Sequence, residues 1–261
     1  MSVKAKSPNV TIGGKSYKKS TILADVNIPY KFSIDRNNNI LFFCINADEF
    51  SDQSFQSVEL NLYSGCAKIV PSIRNGFASA VDQTNGIVYL GGSDGVYKYD
   101  YQTHDIRKPA IIKGIDVFDM FYKDCLYFVD TTNLDLFSLK NGQKSIVSTV
   151  EEYGVHHCAV DGNDNLIVAN PSGLFYLPKG SKSPERIGNN VGNIRGITTD
   201  AKGEPYLIAQ DGIYSIDCID NQIKNILTLD NGYGLAFDKN NMIVYGDERC
   251  VAKLVPWDAN D

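Results

Sequence analysis

Between Gly76 and Asp100 the chain alternates short apolar runs with clusters of turn residues, GFASAVDQTNGIVYLGGSDGVYKYD. Phe77–Val81 leads into Asp-Gln-Thr-Asn-Gly, Ile87–Leu90 leads into Gly91-Gly92-Ser93-Asp94-Gly95, and Val96–Tyr99 alternates apolar with polar positions. Val, Ile and Tyr suit a half-buried pleated surface, while Gly, Asn and Asp accept the backbone angles of tight hairpins. The stretch predicts three short strands joined by turns.

The same pattern recurs along the chain. Asp82, the turn aspartate of this stretch, has counterparts at Asp35, Asp124, Asp161, Asp200 and Asp238, spaced by 47, 42, 37, 39 and 38 residues. Each copy continues into a third strand: Val58–Leu62, Val96–Tyr99, Leu134–Leu139, Leu174–Leu177, Ile213–Ile216 and Val251–Val255. A fourth, more polar strand follows most of them, as in Ser145–Thr149 and Lys224–Leu227. Four strands in roughly 40 residues, repeated, is the pattern of a propeller blade. Six copies predict an all-β, six-bladed β-propeller over residues 1–261, with blades at about 28–70, 71–110, 111–149, 150–188, 189–227 and 228–261. The last copy ends near Pro256-Trp257 without room for a fourth strand, and residues 16–24 before the first copy are spare. Ser20–Leu23 is therefore expected to supply the outer strand of the last blade. No 3.6-residue period stands out, which sets aside doubly wound and barrel α/β folds. The turn aspartates themselves read as Asx turns, scaffold rather than chemistry.

Composition removes several function classes. A net charge of −6 gives no electrostatic reason to expect nucleic acid or an anionic membrane. No apolar run approaches the roughly 20 residues a spanning helix needs. The start, MSVKAKSPNV, lacks the apolar run of a signal peptide, as a cytosolic protein or a mature chain would. The six cysteines contain no C-x-x-C pair, which argues against a zinc knuckle or a redox motif, and leaves buried thiols and disulfides both open. No G-x-S-x-G elbow or phosphate-binding glycine loop is present.

In a propeller the innermost strand of each blade begins at one mouth of the central channel. Five residues before each turn aspartate stand Tyr30, Phe77, Asp119, His156, Arg195 and Tyr233, and one residue later Lys31, Ala78, Met120, His157, Gly196 and Gly234. Aromatic faces stack on planar ligands, and a guanidinium offers a two-pronged donor to a carboxylate. Ala78, Gly196 and Gly234 are expected to leave room beneath the ring for something flat. The plainer reading of the same ring is a plug, with Arg195 paired to Asp119. A divalent cation needs several oxygen ligands, and only Asp119 offers one here, so no metal or other cofactor is expected. Of the adjacent His156 and His157, one is expected to face the channel and the other to pack between blades, because neighbours on a strand point opposite ways. The long connection Asn46–Gln56, with Phe50 and Phe55, opens on the same face and is either a lid or a solvated loop.

Over IPYKFSID, AVDQTNGIVYLGGSDGVYKYD, DMFYKDCLYF, RGITTD, DGIYSID and YGLAFDKNN the chain resembles the ommochrome-binding proteins of lepidopteran insects, with DGVYKYD and FYKD the more specific segments. The resemblance implies a secreted haemolymph carrier of planar, carboxylated pigments such as xanthommatin. It brings no residue-level motif, so the ligand-binding set rests on the rim: Tyr30, Phe77, Asp119, His156, Arg195 and Tyr233. An alternative is a metal-independent lyase, dehydratase or isomerase acting on an oxidised apolar, fatty-acid-like acid. In that case His156 or Asp119 would be the base, Arg195 the carboxylate clamp, and Tyr30 or Tyr233 a hydrogen-bond donor. A third reading uses the rim loops as a protein-interaction platform.

Overall fold

A computed structural model describes residues 9–49, 51–188 and 191–257. Phe50 of the long loop lies outside the described residues. The alternation of apolar and polar positions builds six antiparallel sheets, each starting with an inner strand: Tyr30–Asp35, Ala78–Asp82, Val117–Lys123, His157–Val160, Ile194–Thr199 and Gly234–Phe237. Each inner strand packs on the inner strands of both neighbouring blades, and the sixth packs on the first, so the ring closes. The fold is an all-β, six-bladed propeller.

Closure uses both ends of the chain. Lys15–Ala24 pairs antiparallel with Cys250–Pro256, as the spare N-terminal segment led one to expect, and the strand is longer than Ser20–Leu23. A further strand, Asn9–Ile12, pairs outside it, giving the last blade five strands. Val10, Ile12 and Tyr17 cover an apolar cluster containing Ile208, Leu235 and Leu254, so the added strands bury surface shared by blades 5 and 6. In blade 3 the fourth strand is Gln143–Ile146, and the chain then forms a short 3₁₀ turn at Ser148–Tyr153 where strand was expected to continue.

Five turn aspartates are scaffold. Asp35, Asp82, Asp161, Asp200 and Asp238 are buried, and each takes two backbone N–H groups of its own turn on one carboxylate oxygen. The sixth differs. Asp35 pairs with Ile40 and Asp82 with Ile87 across their turns, whereas in blade 3 Lys123 pairs directly with Cys125. Asp124 is left exposed at the apex of that hairpin, with φ 57°. The position equivalent to the other aspartates is Lys123, and the repeat slips by one residue in this blade.

Candidate functional site

The slip changes which side chain reaches the channel mouth. Five residues before Lys123 stands Phe118, and the inner strand of blade 3 carries a bulge between Val117 and Asp119 that leaves Phe118 the extra residue. Bulges also interrupt blade 1 between Tyr30 and Ser33 and blade 5 between Ile194 and Gly196, where Arg195 is the extra residue. A bulge re-aims the side chain it carries. The observed mouth is an arc of rings: Tyr233 to Tyr30 at 5.2 Å, Tyr30 to Phe77 at 6.0 Å, Phe77 to Phe118 at 5.7 Å and Phe118 to His156 at 5.6 Å between centroids. Arg195 extends the arc, its guanidinium carbon 3.9 Å from the centre of the Tyr233 ring. Phe55, from the end of the long loop, lies 4.5 Å from Phe77 and 6.2 Å from Tyr30. All seven side chains are half-buried.

Arg195 does not pair with Asp119. Its Nη1 donates to Asn231 Oδ1 and to the Gly232 carbonyl, both at 2.7 Å, and Asn231 in turn donates to Tyr233 Oη and Glu248. Among the described residues its Nε and Nη2 make no hydrogen bond. The guanidinium is thus held over the Tyr233 ring with part of its donor fork unused.

Asp119 lies one level beneath the mouth. Lys31, at φ 55° in the blade 1 bulge, donates from Nζ to Asp119 Oδ1 at 2.8 Å and to His157 Nδ1 at 3.0 Å. Asp119 Oδ2 accepts the Cys158 N–H at 3.2 Å, and His157 Nε2 is 3.2 Å from the Ile194 carbonyl of the next blade. These contacts assign His157 as the neutral tautomer with its proton on Nε2. Burial first, then Lys31, lowers its pKa to about 4. Burial works against ionising Asp119, but the Lys31 ammonium more than offsets it and holds the carboxyl below its ordinary value. The ammonium also faces the undersides of Phe118, at 4.8 Å, and Phe77, at 5.6 Å. An ion pair therefore lies directly beneath the aromatic arc.

His156 stands just before the inner strand of blade 4 at the mouth, and His157 reaches Lys31 of blade 1 beneath it; both rings lie against Phe118, at 5.6 and 6.1 Å, so the two do not point opposite ways as expected. Burial and Lys31 lower the His156 pKa against the pull of Asp119, which leaves it neutral at pH 7. Burial and Tyr233 raise that of Tyr30, so the phenol keeps its proton.

The room beneath the ring differs from the expectation at two of three positions. A side chain at Gly234 would run into the Phe32 ring, and Ala78 is buried in the core between blades 2 and 3. Only Gly196 looks into open space, its absent Cβ meeting nothing nearer than Ile208 Cγ2 at 3.5 Å. It borders a cavity of about 130 Å³ along the channel axis, walled near the mouth by Lys31, Asp119, Arg195 and Tyr233. At the far end Arg36 reaches across to the carbonyls of Phe237 and Thr199, at 3.2 and 3.5 Å, beside Gln83. Drug-sized ligands occupy about 300–1,000 Å³. The channel cavity is smaller than that, and only a small group fits inside it.

The long loop is fastened to blade 2. Asn75 Oδ1 accepts the N–H groups of Ser54, at 2.6 Å, and Phe55, and Gln53 Oε1 accepts the N–H of Asn75 at 2.9 Å. Among the described residues no group of three or more His, Cys, Asp or Glu side chains could hold a metal ion.

The chain is 30% identical over 254 residues to the ommochrome-binding protein of Manduca sexta, an alignment covering 95% of this chain and 91% of that one. The chain belongs to the ommochrome-binding protein family. No broader family model matches it. Two solved structures share the family's propeller fold at low identity. A gluconolactonase from Xanthomonas campestris superposes with a TM-score of 0.70 at 11% identity over 98% of this chain and 99% of its own. A calcium-binding regucalcin from Agrobacterium tumefaciens gives 0.66 at 10% over 92% and 96%. At such identities the likeness concerns fold alone. In this member of the ommochrome-binding family the one acidic group beneath the mouth, Asp119, is engaged by Lys31.

Sequence reasoning placed Tyr30, Phe77, His156, Arg195 and Tyr233 at the mouth, and the structure brings these five together. It missed Phe118 because the shortened blade 3 hairpin puts Lys123, not Asp124, level with the other turn aspartates, so the count back from Asp124 ended one residue late. A signal was present: FYKDCLYF has no Asn or Gly after its aspartate, unlike DRNNN or DQTNG, and so could not form the same turn.

Proposed function

We propose that this protein binds and carries a planar, carboxylated aromatic molecule at the channel mouth, an ommochrome pigment such as xanthommatin. The observation that carries the reading is Arg195, stacked on Tyr233 and tethered through Nη1, with Nε and Nη2 unused at one end of an aromatic arc. Rings of Tyr30, Phe77, Phe118 and Tyr233 offer faces and edges to a flat π-system, and offset or edge contacts are favourable. The guanidinium matches a carboxylate on the ligand's edge, and being already immobilised it loses little entropy on binding. The pigment-binding name of the Manduca sexta relative supports the same class of ligand. A secreted fluid is the setting proposed for the carrier. Among the described residues no helix is long and apolar enough to cross a membrane, and all six cysteines are free thiols.

The test is a titration of the protein with xanthommatin, followed by the pigment's visible spectrum and by quenching of tyrosine fluorescence. Saturable one-to-one binding is expected, with competition by other flat aromatic acids. A linear, non-saturating response would overturn the reading.

A further inference from the structure

Two opposite charges border the cavity under the mouth without being joined to each other, Arg195 and Asp119. Arg195 is held by Asn231 and Gly232, Asp119 by Lys31 and Cys158. A guanidinium has five N–H donors and a carboxylate about four lone-pair sites. Three N–H groups of Arg195 make no hydrogen bond among the described residues, and Asp119 uses two acceptor sites, with His157 Nδ1 at 3.6 Å too long for a third. Both side chains border the same space of about 130 Å³, the volume of about four water molecules. Gly196, with no side chain, lines the same cavity.

A plain carboxylate would answer only Arg195. A group that accepts from the guanidinium and donates to the carboxylate answers both. We propose that the mouth selects aromatic ligands bearing a free α-amino-acid arm, with the arm's carboxylate on Arg195 and its ammonium on Asp119. This rests on the reading of the mouth as an aromatic-acid site and narrows it. Asp119 then bridges two ammonium groups, its own Lys31 and the ligand's. The small volume suits a head group and not a second ring, so the aromatic body stays above, against Phe77 and Phe118.

Four probes with one ring system separate the contributions: L-3-(2-naphthyl)alanine, its methyl ester, its N-acetyl derivative, and 3-(2-naphthyl)propanoate, which lacks the amine. Dissociation constants come from calorimetry at pH 7. The amino acid is expected to bind at least about tenfold more tightly than the propanoate, the worth of one charge-assisted hydrogen bond. The ester and the N-acetyl compound should each lose a comparable factor. In Asp119→Asn the amino acid and the propanoate should bind alike, with thermal melting confirming the fold. If that variant does not fold, the four wild-type constants decide the matter alone. A propanoate binding as tightly as the amino acid, or more tightly because Lys31 repels the second ammonium, overturns the inference and leaves the aromatic-acid site standing. If none of the four binds, the aromatic-acid site and this inference fall together.

Discussion

Replacing Arg195 by alanine removes a guanidinium whose Nε and Nη2 make no hydrogen bond among the described residues, and the structure sets the scale of the effect. A hydrogen bond to a charged partner contributes about 1.5–3 kcal/mol, so an aromatic carboxylate should bind roughly ten- to a hundredfold more weakly. The guanidinium also covers one face of Tyr233 at 3.9 Å, and an exposed contact of this kind is worth about 0.5–1 kcal/mol. The methyl ester of the same ligand, which has no charge to lose, should therefore weaken by less than about fivefold. Arg195→Lys should recover only part of the acid's affinity, since an ammonium restores the charge without the planar fork or the stacking. Tyr233→Ala should reduce acid and ester alike. Fluorescence quenching of the three variants with both ligands gives all the ratios. Equal losses for acid and ester in Arg195→Ala would refute the reasoning, and Arg195 would then be a brace for Tyr233 and Asn231.

Three further outcomes follow from the scaffold. Lys31→Met leaves Asp119 ionised in the interior without its ammonium, so unfolding in urea should show a loss of about 3–5 kcal/mol, and Lys31→Met with Asp119→Leu should regain most of it; a single variant as stable as wild type contradicts the ion pair's role. His157 titrates at about 4 in the folded protein against 6.5 unfolded, so stability is complete above about pH 6.5 and falls as the pH drops towards 4. The loss amounts to about 3 kcal/mol at most, and His157→Gln should flatten it between pH 6.5 and 4.5, a slope unchanged by the substitution excluding this source. Deleting residues 1–24 removes the strand that pairs from Tyr17 to Ala24 with Pro256 to Cys250, and should lower the melting temperature far more than deleting residues 1–8; equal melting temperatures would show that the closure contributes nothing.

The fold was legible because it is a repeat, and an error in one copy is outvoted by the other five. Turn chemistry marked Asp35, Asp82, Asp161, Asp200 and Asp238, and those five carboxylates do organise their turns. The site had no such redundancy. One shortened hairpin displaced the count in blade 3, so Asp119 was expected at the rim and Phe118 was overlooked. Lys31 adopts φ 55°, a left-handed conformation uncommon for a residue with a side chain, and nothing in IPYKFSID announces it. The partners of Arg195 were equally hidden, because Asn231 and Gly232 precede the next inner strand and meet Arg195 only when blade 6 packs on blade 5.

The proposed pigment site is the channel mouth rather than another surface. A crystal structure of the protein with bound xanthommatin should show the ring system against Phe77 and Phe118, with a carboxylate on Arg195 Nε and Nη2. Pigment seated instead in the groove of about 310 Å³ between blades 4 and 5, beside Tyr176, Tyr206 and Ile219, with nothing at Arg195, would contradict it.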